Sequence, residues 1–168
     1  KPEVGNHGRG ISININDYEE LKIAFDSAEK IYSYILVEKY IHGRDYRILV
    51  IDGEFIAASY REPPYITGDG ESTVQELIDR VNGDPLRGIG HENILTKIVI
   101  DEMTFRILKH ENVTLSDVLN QGKKLYLKTT ANLSQGGTAT DVTEIVHPEI
   151  RLMAERTARI IGMDVIGI

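Results

Sequence analysis

Three stretches of this sequence gather residue types that handle anions and polar oxygens. The first is Lys1-Pro2-Glu3-Val4-Gly5-Asn6-His7-Gly8-Arg9-Gly10. Its glycines let backbone N–H groups crowd an anion without Cβ clashes. Lys1 and Arg9 add positive charge to such a loop. It is not a Walker loop, because the Gly-Lys-Ser/Thr ending is missing. It is not the dinucleotide fingerprint either, since the spacing differs and a strand pattern follows instead of a helix. A Gly-rich surface hairpin has the same composition, so the residues alone support both readings.

The second stretch is Val37-Glu38-Lys39-Tyr40-Ile41-His42-Gly43-Arg44-Asp45-Tyr46-Arg47. Charged residues interrupt an apolar strand pattern here. A strand leaving a core can offer backbone N–H and C=O groups to an adenine edge, and a carboxylate several residues on can hold ribose hydroxyls. Taken alone, a solvated strand end fits the same residues better. The third stretch runs from Thr129 to Thr138, through Ala131-Asn132-Leu133-Ser134-Gln135-Gly136-Gly137. Asn, Ser and two adjacent glycines make a loop able to donate to a carboxylate or phosphate oxygen. An ordinary polar loop shares that composition.

The elements that must carry these stretches follow from periodicity. Ile11 to Ile15 alternates apolar and polar residues, which predicts a half-buried strand. Asn16, with Glu19 three residues on, predicts a helix start, and Leu21, Ala24, Phe25, Ala28 and Ile31 follow at helical spacing. Tyr34 to Tyr40 reads as a strand. Tyr46–Ile51 and Glu54–Tyr60 flank Asp52-Gly53, a strong hairpin signal because both turn positions favour positive φ. Pro63-Pro64 ends that unit. Thr73 with Glu76 forms a capping box that opens a helix to about Val81. Between Asn82 and Asn120 only Thr96–Ile100 reads as a strand. Lys124–Thr129 reads as another strand, and 132–138 as a loop. Pro148–Ile161 is helical, with Gly162 as its C-cap, and Val165–Ile168 begins a last strand. The pattern is α+β or α/β, with antiparallel hairpins.

Composition narrows the classes. The 168 residues suffice for one core, and 41% hydrophobic with 27% charged residues is the profile of a folded protein. A net charge of −7 argues against broad nucleic-acid binding. The absence of cysteine excludes disulfides, thiolate metal sites and a Cys nucleophile. No run reaches the ~18 apolar residues of a membrane span, and no signal peptide is visible. His7, His42, His91, His110 and His147 form no i, i+4 pair, which argues against zinc. Lys97 sits among apolar neighbours, and a buried charge there would need a salt bridge or an anionic ligand. The chain opens on Lys1 inside a Gly-rich segment and closes on an apolar run, so a piece of a longer polypeptide is expected.

The order of the three stretches carries more than any one of them. Lys-Pro with a Gly-rich hairpin, then Glu-Lys-Tyr-Ile, Gly and Asp-Tyr-Arg, then Asn-Leu-Ser-x-Gly-Gly resembles the ATP-grasp superfamily. Within it, the ATP-grasp domain of cyanophycin synthetases is the more specific resemblance. That resemblance is carried by Gly5-Asn6-His7-Gly8-Arg9-Gly10, Arg61-Glu62-Pro63-Pro64, Gly68-Asp69-Gly70, Arg87-Gly88-x-Gly90-His91-Glu92, Leu95-Thr96-Lys97-Ile98, Thr130-Ala131-Asn132-Leu133-Ser134, Gly136-Gly137-Thr138-Ala139, Asp141-Val142-Thr143 and His147-Pro148-Glu149. Lys128 departs from an expected Arg, and Gln135 from an expected smaller residue.

The resemblance implies an α+β ATP-grasp fold fragment, with antiparallel sheets packed with helices. It implies a single partial domain over residues 1–168, with a nucleotide-binding hairpin and lid over about 1–60, an insert over about 61–122, and a substrate-side loop and C-terminal helix over about 123–168. It implies an ATP-dependent ligase that forms amide bonds through an acyl phosphate, extending a poly-aspartate backbone with Asp and Arg. By similarity, Lys1 and Lys39 would contact ATP phosphates or the adenine edge. Glu38 and the backbone of Lys39, Tyr40 and Ile41 would bind adenine, and Asp45 the ribose. Gly5, Asn6, His7, Gly8, Arg9 and Gly10 would close over the phosphates. Arg47, Asn132 and Ser134 would serve catalysis, and Gly136, Gly137 and Lys97 the substrate. Mg²⁺ is implied, but its family ligands fall beyond Ile168, so no metal ligand is assigned within the chain and the piece by itself is expected to be inactive. The expected partners are ATP, an amino acid and a peptide-like carboxylate, with neither nucleic acid nor membrane. The cytoplasm is the expected location, and a homo-oligomer fits a family that often forms tetramers. A glutathione-synthetase-like or peptide-modifying ligase, and a degenerate nucleotide-binding module, are the alternatives.

Overall fold

A computed structural model describes residues 1–5, 9–90 and 93–168. The element order is α1 (Tyr18–Glu29), β1 (Asp45–Ile51), β2 (Glu54–Glu62), β3 (Tyr65–Thr67), α2 (Val74–Asn82), β4 (Arg87–Gly88), β5 (Leu95–Thr96), α3 (Glu102–His110), β6 (Lys124–Tyr126), β7 (Thr138–Asp141), α4 (Pro148–Ile161) and β8 (Val165–Gly167). Short 3₁₀ turns lie at Leu133–Gln135 and Thr143–Ile145. The chain divides into two units, Lys1–Gly43 with Pro63–Gly137, and Arg44–Glu62 with Thr138–Ile168.

The first unit is organised around one apolar cluster. Val74, Leu77 and Ile78 present one face of α2, at i, i+3 and i+4, to Ile66 of β3, Leu125 and Leu127. Ile98, Leu108 and Leu119 complete the cluster. The Thr73/Glu76 capping box forms as the sequence predicts, with side chain and backbone satisfying each other. β3 pairs antiparallel with β6, from Tyr65 opposite Tyr126 to Thr67 opposite Lys124. β4 and β5 form a short parallel pair.

The second unit is an antiparallel sheet of order β7-β2-β1-β8. The Asp52-Gly53 hairpin is present, and both residues have positive φ, at 53° and 76°. α4 packs Ala154 and Ala158 against Val50 of β1, and small residues there let the helix approach the sheet closely. Pro148 stands in the first turn of α4, His147 Nδ1 accepts from the Glu149 N–H at 3.2 Å, and Gly162 closes the helix.

Several expected elements differ. Ile11–Ile15 forms no strand: Asn14 has φ 54°, which breaks an extended run, and Ile13 and Ile15 are exposed. Among the described residues, Tyr34–Tyr40 is reduced to a single bridge, Pro2 opposite Ile35. α1 starts one residue later than expected: Asp17 is its cap, accepting from the Glu20 N–H at 2.8 Å. The Thr96–Ile100 strand shrinks to Leu95–Thr96, and Lys124–Thr129 to Lys124–Tyr126. Helix α3 was not expected, and neither was strand β7, which begins at Thr138, the last residue read as loop.

Candidate functional site

The two nucleotide-type stretches of the first unit meet. The Lys1 α-amino group donates to the Leu36 carbonyl at 3.0 Å, and the Leu36 N–H donates back to the Lys1 carbonyl at 2.8 Å. The Lys1 ammonium forms an ion pair with the Glu38 carboxylate. Lys1, Glu38, Lys39, Tyr40 and Ile41 thereby line one cleft of about 860 Å³, closed on its other side by residues 11–18 and Leu21. That size matches small-molecule sites, which run to roughly 300–1,000 Å³. The cleft combines aliphatic walls, from Ile11, Ile13, Ile15 and Leu36, with charged groups at Lys1, Glu38 and Lys39. Residues 37–41 join no strand among the described residues, so strand pairing takes up none of their backbone polar groups.

Arg9 and Gly10, from the Gly-rich loop, line a second pocket of about 370 Å³. Asn6, His7 and Gly8 lie outside the described residues. Gly5 stands near Pro2. The second pocket is also lined by Ile11, Ser12, Ser27 and Ile31, by the start of α3, and by Lys128, Thr129, Thr130 and Gln135. Lys128 is buried. Its Nζ lies 2.5 Å from Asp101 Oδ1 and donates to Thr104 Oγ1 at 3.0 Å. Burial pushes the Asp101 carboxyl up, but hydrogen bonds from Lys128 and the Thr104 N–H outweigh it and hold the group below the usual carboxylate range.

The polar loop is internally braced. Asn132 Nδ2 donates to Thr130 Oγ1 at 3.3 Å, and Thr130 Oγ1 donates to Gln135 Oε1 at 3.0 Å. The Gly137 N–H donates to the Asn132 carbonyl at 3.1 Å. Ser134 lies half-buried in the 3₁₀ turn. Gly136 and Gly137 are both buried. Arg87, also buried, donates from Nη1 to the carbonyls of Thr96 and Gly136.

Asp45 and Arg47 belong to the second unit. Asp45 stands opposite Arg61 at the start of β1, and Arg47 donates from Nη1 to the Gly167 carbonyl at 3.0 Å. Lys97 is exposed, with its N–H donating to the Gly88 carbonyl at 2.9 Å, so the expectation of a buried charge at Lys97 does not hold. The buried cations among the described residues are Arg87 and Lys128. Sequence reasoning also missed Asp101, Thr104 and Arg106. The available signal was Asp101-x-x-Thr104, a cap followed by Met103, Ile107 and Leu108 at helical spacing. Among the described residues no group of three His, Asp or Glu side chains is placed to hold a metal ion.

No family model matches the chain. Sequence comparison finds 46% identity to a cyanophycin synthetase of Nostoc sp. over the whole chain and 19% of that protein. A glutathione biosynthesis bifunctional protein of Clostridium perfringens is 36% identical over the whole chain and 22% of its own length. A crystal structure of a bifunctional glutathione synthetase from Pasteurella multocida superposes with a TM-score of 0.67, at 30% identity, over 99% of this chain and 23% of that one. By sequence and by fold, the chain is similar to one segment of these proteins. It spans about one fifth of the length of the curated relatives it matches. The ATP-grasp resemblance read from the ordered stretches is borne out, as is the α+β fold class. No helix among the described residues is long and apolar enough to cross a membrane.

Proposed function

We propose that the chain is the nucleotide- and acceptor-handling part of an ATP-dependent carboxylate–amine ligase of the cyanophycin synthetase kind, extending a poly-aspartate backbone with Asp and Arg. The observation that carries this reading is the shared cleft. Lys1 and Glu38–Ile41, distant in sequence, line it together, as a nucleotide site built from a hairpin and a strand exit requires. ATP supplies the phosphoryl group that converts a carboxylate into an acyl phosphate open to attack by an amine. The chain's own contribution is positioning and charge neutralisation. Lys1 and Lys39 offer ammonium groups to phosphate oxygens, the aliphatic walls take the flat face of a base, and residues 38–41 offer backbone groups to its edge. Asp45 would hold ribose hydroxyls. Arg47 would present its planar fork to the acyl oxyanion. Asn132, Ser134, Gly136, Gly137 and Lys97 would line the acceptor side. Asn6, His7 and Gly8 would extend the phosphate contacts of Arg9 and Gly10. Mg²⁺ would be held by residues beyond Ile168. Location in the cytoplasm and assembly as a homo-oligomer go with the same reading.

The test is calorimetric titration with a non-hydrolysable ATP analogue, with and without Mg²⁺, alongside Lys39→Ala. Saturable binding that the substitution weakens is the expected result. Equal binding by the variant would remove Lys39 from the site, and absence of binding in the whole protein would overturn the nucleotide reading. The likeness to glutathione synthetases supports a second reading, ligation on a small γ-glutamyl peptide. Phosphate release stimulated by an aspartate oligomer with arginine, and not by a γ-glutamyl dipeptide with glycine, separates the two.

A further inference from the structure

Of the two buried cations, Arg87 is occupied by backbone carbonyls, whereas Lys128 lines a pocket. Burying an ammonium costs several kcal/mol unless a counter-charge and hydrogen bonds compensate it. Asp101 supplies both, at 2.5 Å, and the same Oδ1 accepts the Thr104 N–H at 3.1 Å that caps α3. One carboxylate oxygen therefore fixes a helix start and a buried cation together. A primary ammonium has three N–H donors. Asp101 and Thr104 take two, which leaves a third for a ligand. The other charged groups around Lys128 are Glu102, Arg106 and Arg9 in the smaller pocket, and Glu20, His110 and Glu111 in a neighbouring cleft that Lys128 also lines. Glu102 is 3.9 Å from Arg106, so the smaller pocket keeps Arg9 and the spare Lys128 donor beside the Thr129 side chain, while the Thr130 hydroxyl is taken up by Gln135. That is the chemistry of an oxyanion site.

We infer that Asp101 is a positioning residue that holds the Lys128 ammonium in this pocket to receive an oxyanion, a phosphoryl or a carboxylate oxygen. The inference rests on the ligase reading of the same site and deepens it. The whole protein carrying this chain is titrated by calorimetry with two probes. A non-hydrolysable ATP analogue brings phosphoryl oxygens, and an oligo-aspartate peptide brings carboxylates. Asp101→Asn removes the charge yet keeps a side-chain acceptor for the helix cap. Because an uncompensated buried cation is strongly disfavoured, Asp101→Asn is expected to melt at a lower temperature than the parent and, measured well below that melt, to lose about ten-fold or more in affinity for one probe. The probe that suffers names the source of the oxyanion. Adding Lys128→Arg to Asp101→Asn is expected to restore most of the loss, because a guanidinium stays charged without a carboxylate partner. Wild-type affinity of Asp101→Asn for both probes overturns the inference. A loss that Lys128→Arg does not restore makes Asp101 a structural residue and overturns it too. If the unaltered protein binds neither probe, the ligase reading itself fails and the inference goes with it.

Discussion

Arg87 and Gly136, 49 residues apart, are joined by a hydrogen bond of 2.9 Å from Nη1 of the arginine to the carbonyl of the glycine. The same nitrogen donates to the Thr96 carbonyl at 2.7 Å. Arg87 thus ties the β4–β5 pair to the polar loop. Burial pushes the guanidinium down from its ordinary range, and the charge of Asp84 opposes that shift.

Removing this side chain leaves two carbonyls without their donor. Arg87→Ala is expected to destabilise the first unit by about 2–6 kcal/mol, because each buried polar group left unpaired costs about 1–3 kcal/mol. Urea denaturation measures the loss. Amide exchange should accelerate first at Gly136 and Gly137, and a uniform acceleration across the unit would mean that Arg87 serves the whole core and not the loop.

Gly136 gives an independent handle on the same loop. It has φ +94°, and a Cβ added there would stand 2.8 Å from Ile98 Cγ1 and 3.0 Å from its Cα. Gly136→Ala combines backbone strain with overpacking against a buried residue, and a cost of about 2–4 kcal/mol follows. A thermal melt within a degree or two of the parent would show that the loop relaxes away from Ile98.

The parts legible in the sequence were those whose signal is local. The Asp52-Gly53 turn, the Thr73/Glu76 capping box and the span of α4 depend on a few adjacent residues and formed as read. Strands were less legible, because alternation says which face a strand would bury but not whether a partner exists. Ile11–Ile15 shows this: its apolar residues alternate, yet Asn14 turns the backbone and the isoleucines line a cleft instead. The ordered stretches were legible as a family pattern, whereas the ion pair between Lys1 and Glu38 was not legible from spacing. The Asp101–Lys128 pair was not legible, because 27 residues separate its members and no spacing rule links them. Lys97 looked buried only because its neighbours in sequence are apolar.

Acid should weaken the fold through a small set of carboxylates. The Ser72 N–H, then Arg80, Ser72 Oγ and the Glu71 N–H hold Asp69 far below the usual carboxylate range. Thr73 lowers Glu76, and Thr143 lowers Asp141. A carboxylate depressed in the folded state contributes stability above its unfolded pKa, about 4, and that contribution is lost as pH falls through the folded value. Stability should therefore be flat in this respect from pH 7 to about 5 and decline below about 4. Urea midpoints at several pH values measure this, and Asp69→Asn should flatten the acid decline. An unchanged slope in that variant would assign the acid sensitivity to other groups.

Helix α3 sets the position of Asp101, so its packing can be tested apart from its chemistry. Leu108 is 3% exposed and sits in the apolar cluster, while Phe105, on the same helix, is 53% exposed. Leu108→Ala should cost about 2–5 kcal/mol, the range for emptying a buried leucine site. Phe105→Ala should cost less than half as much, because most of its ring surface is already in water. Far-UV circular dichroism during urea titration reads both. Comparable losses would mean that α3 is rotated about its axis, and Asp101 would then no longer point at Lys128. A large loss confined to Leu108→Ala fixes the helix face, and with it the direction from which the carboxylate approaches the buried ammonium.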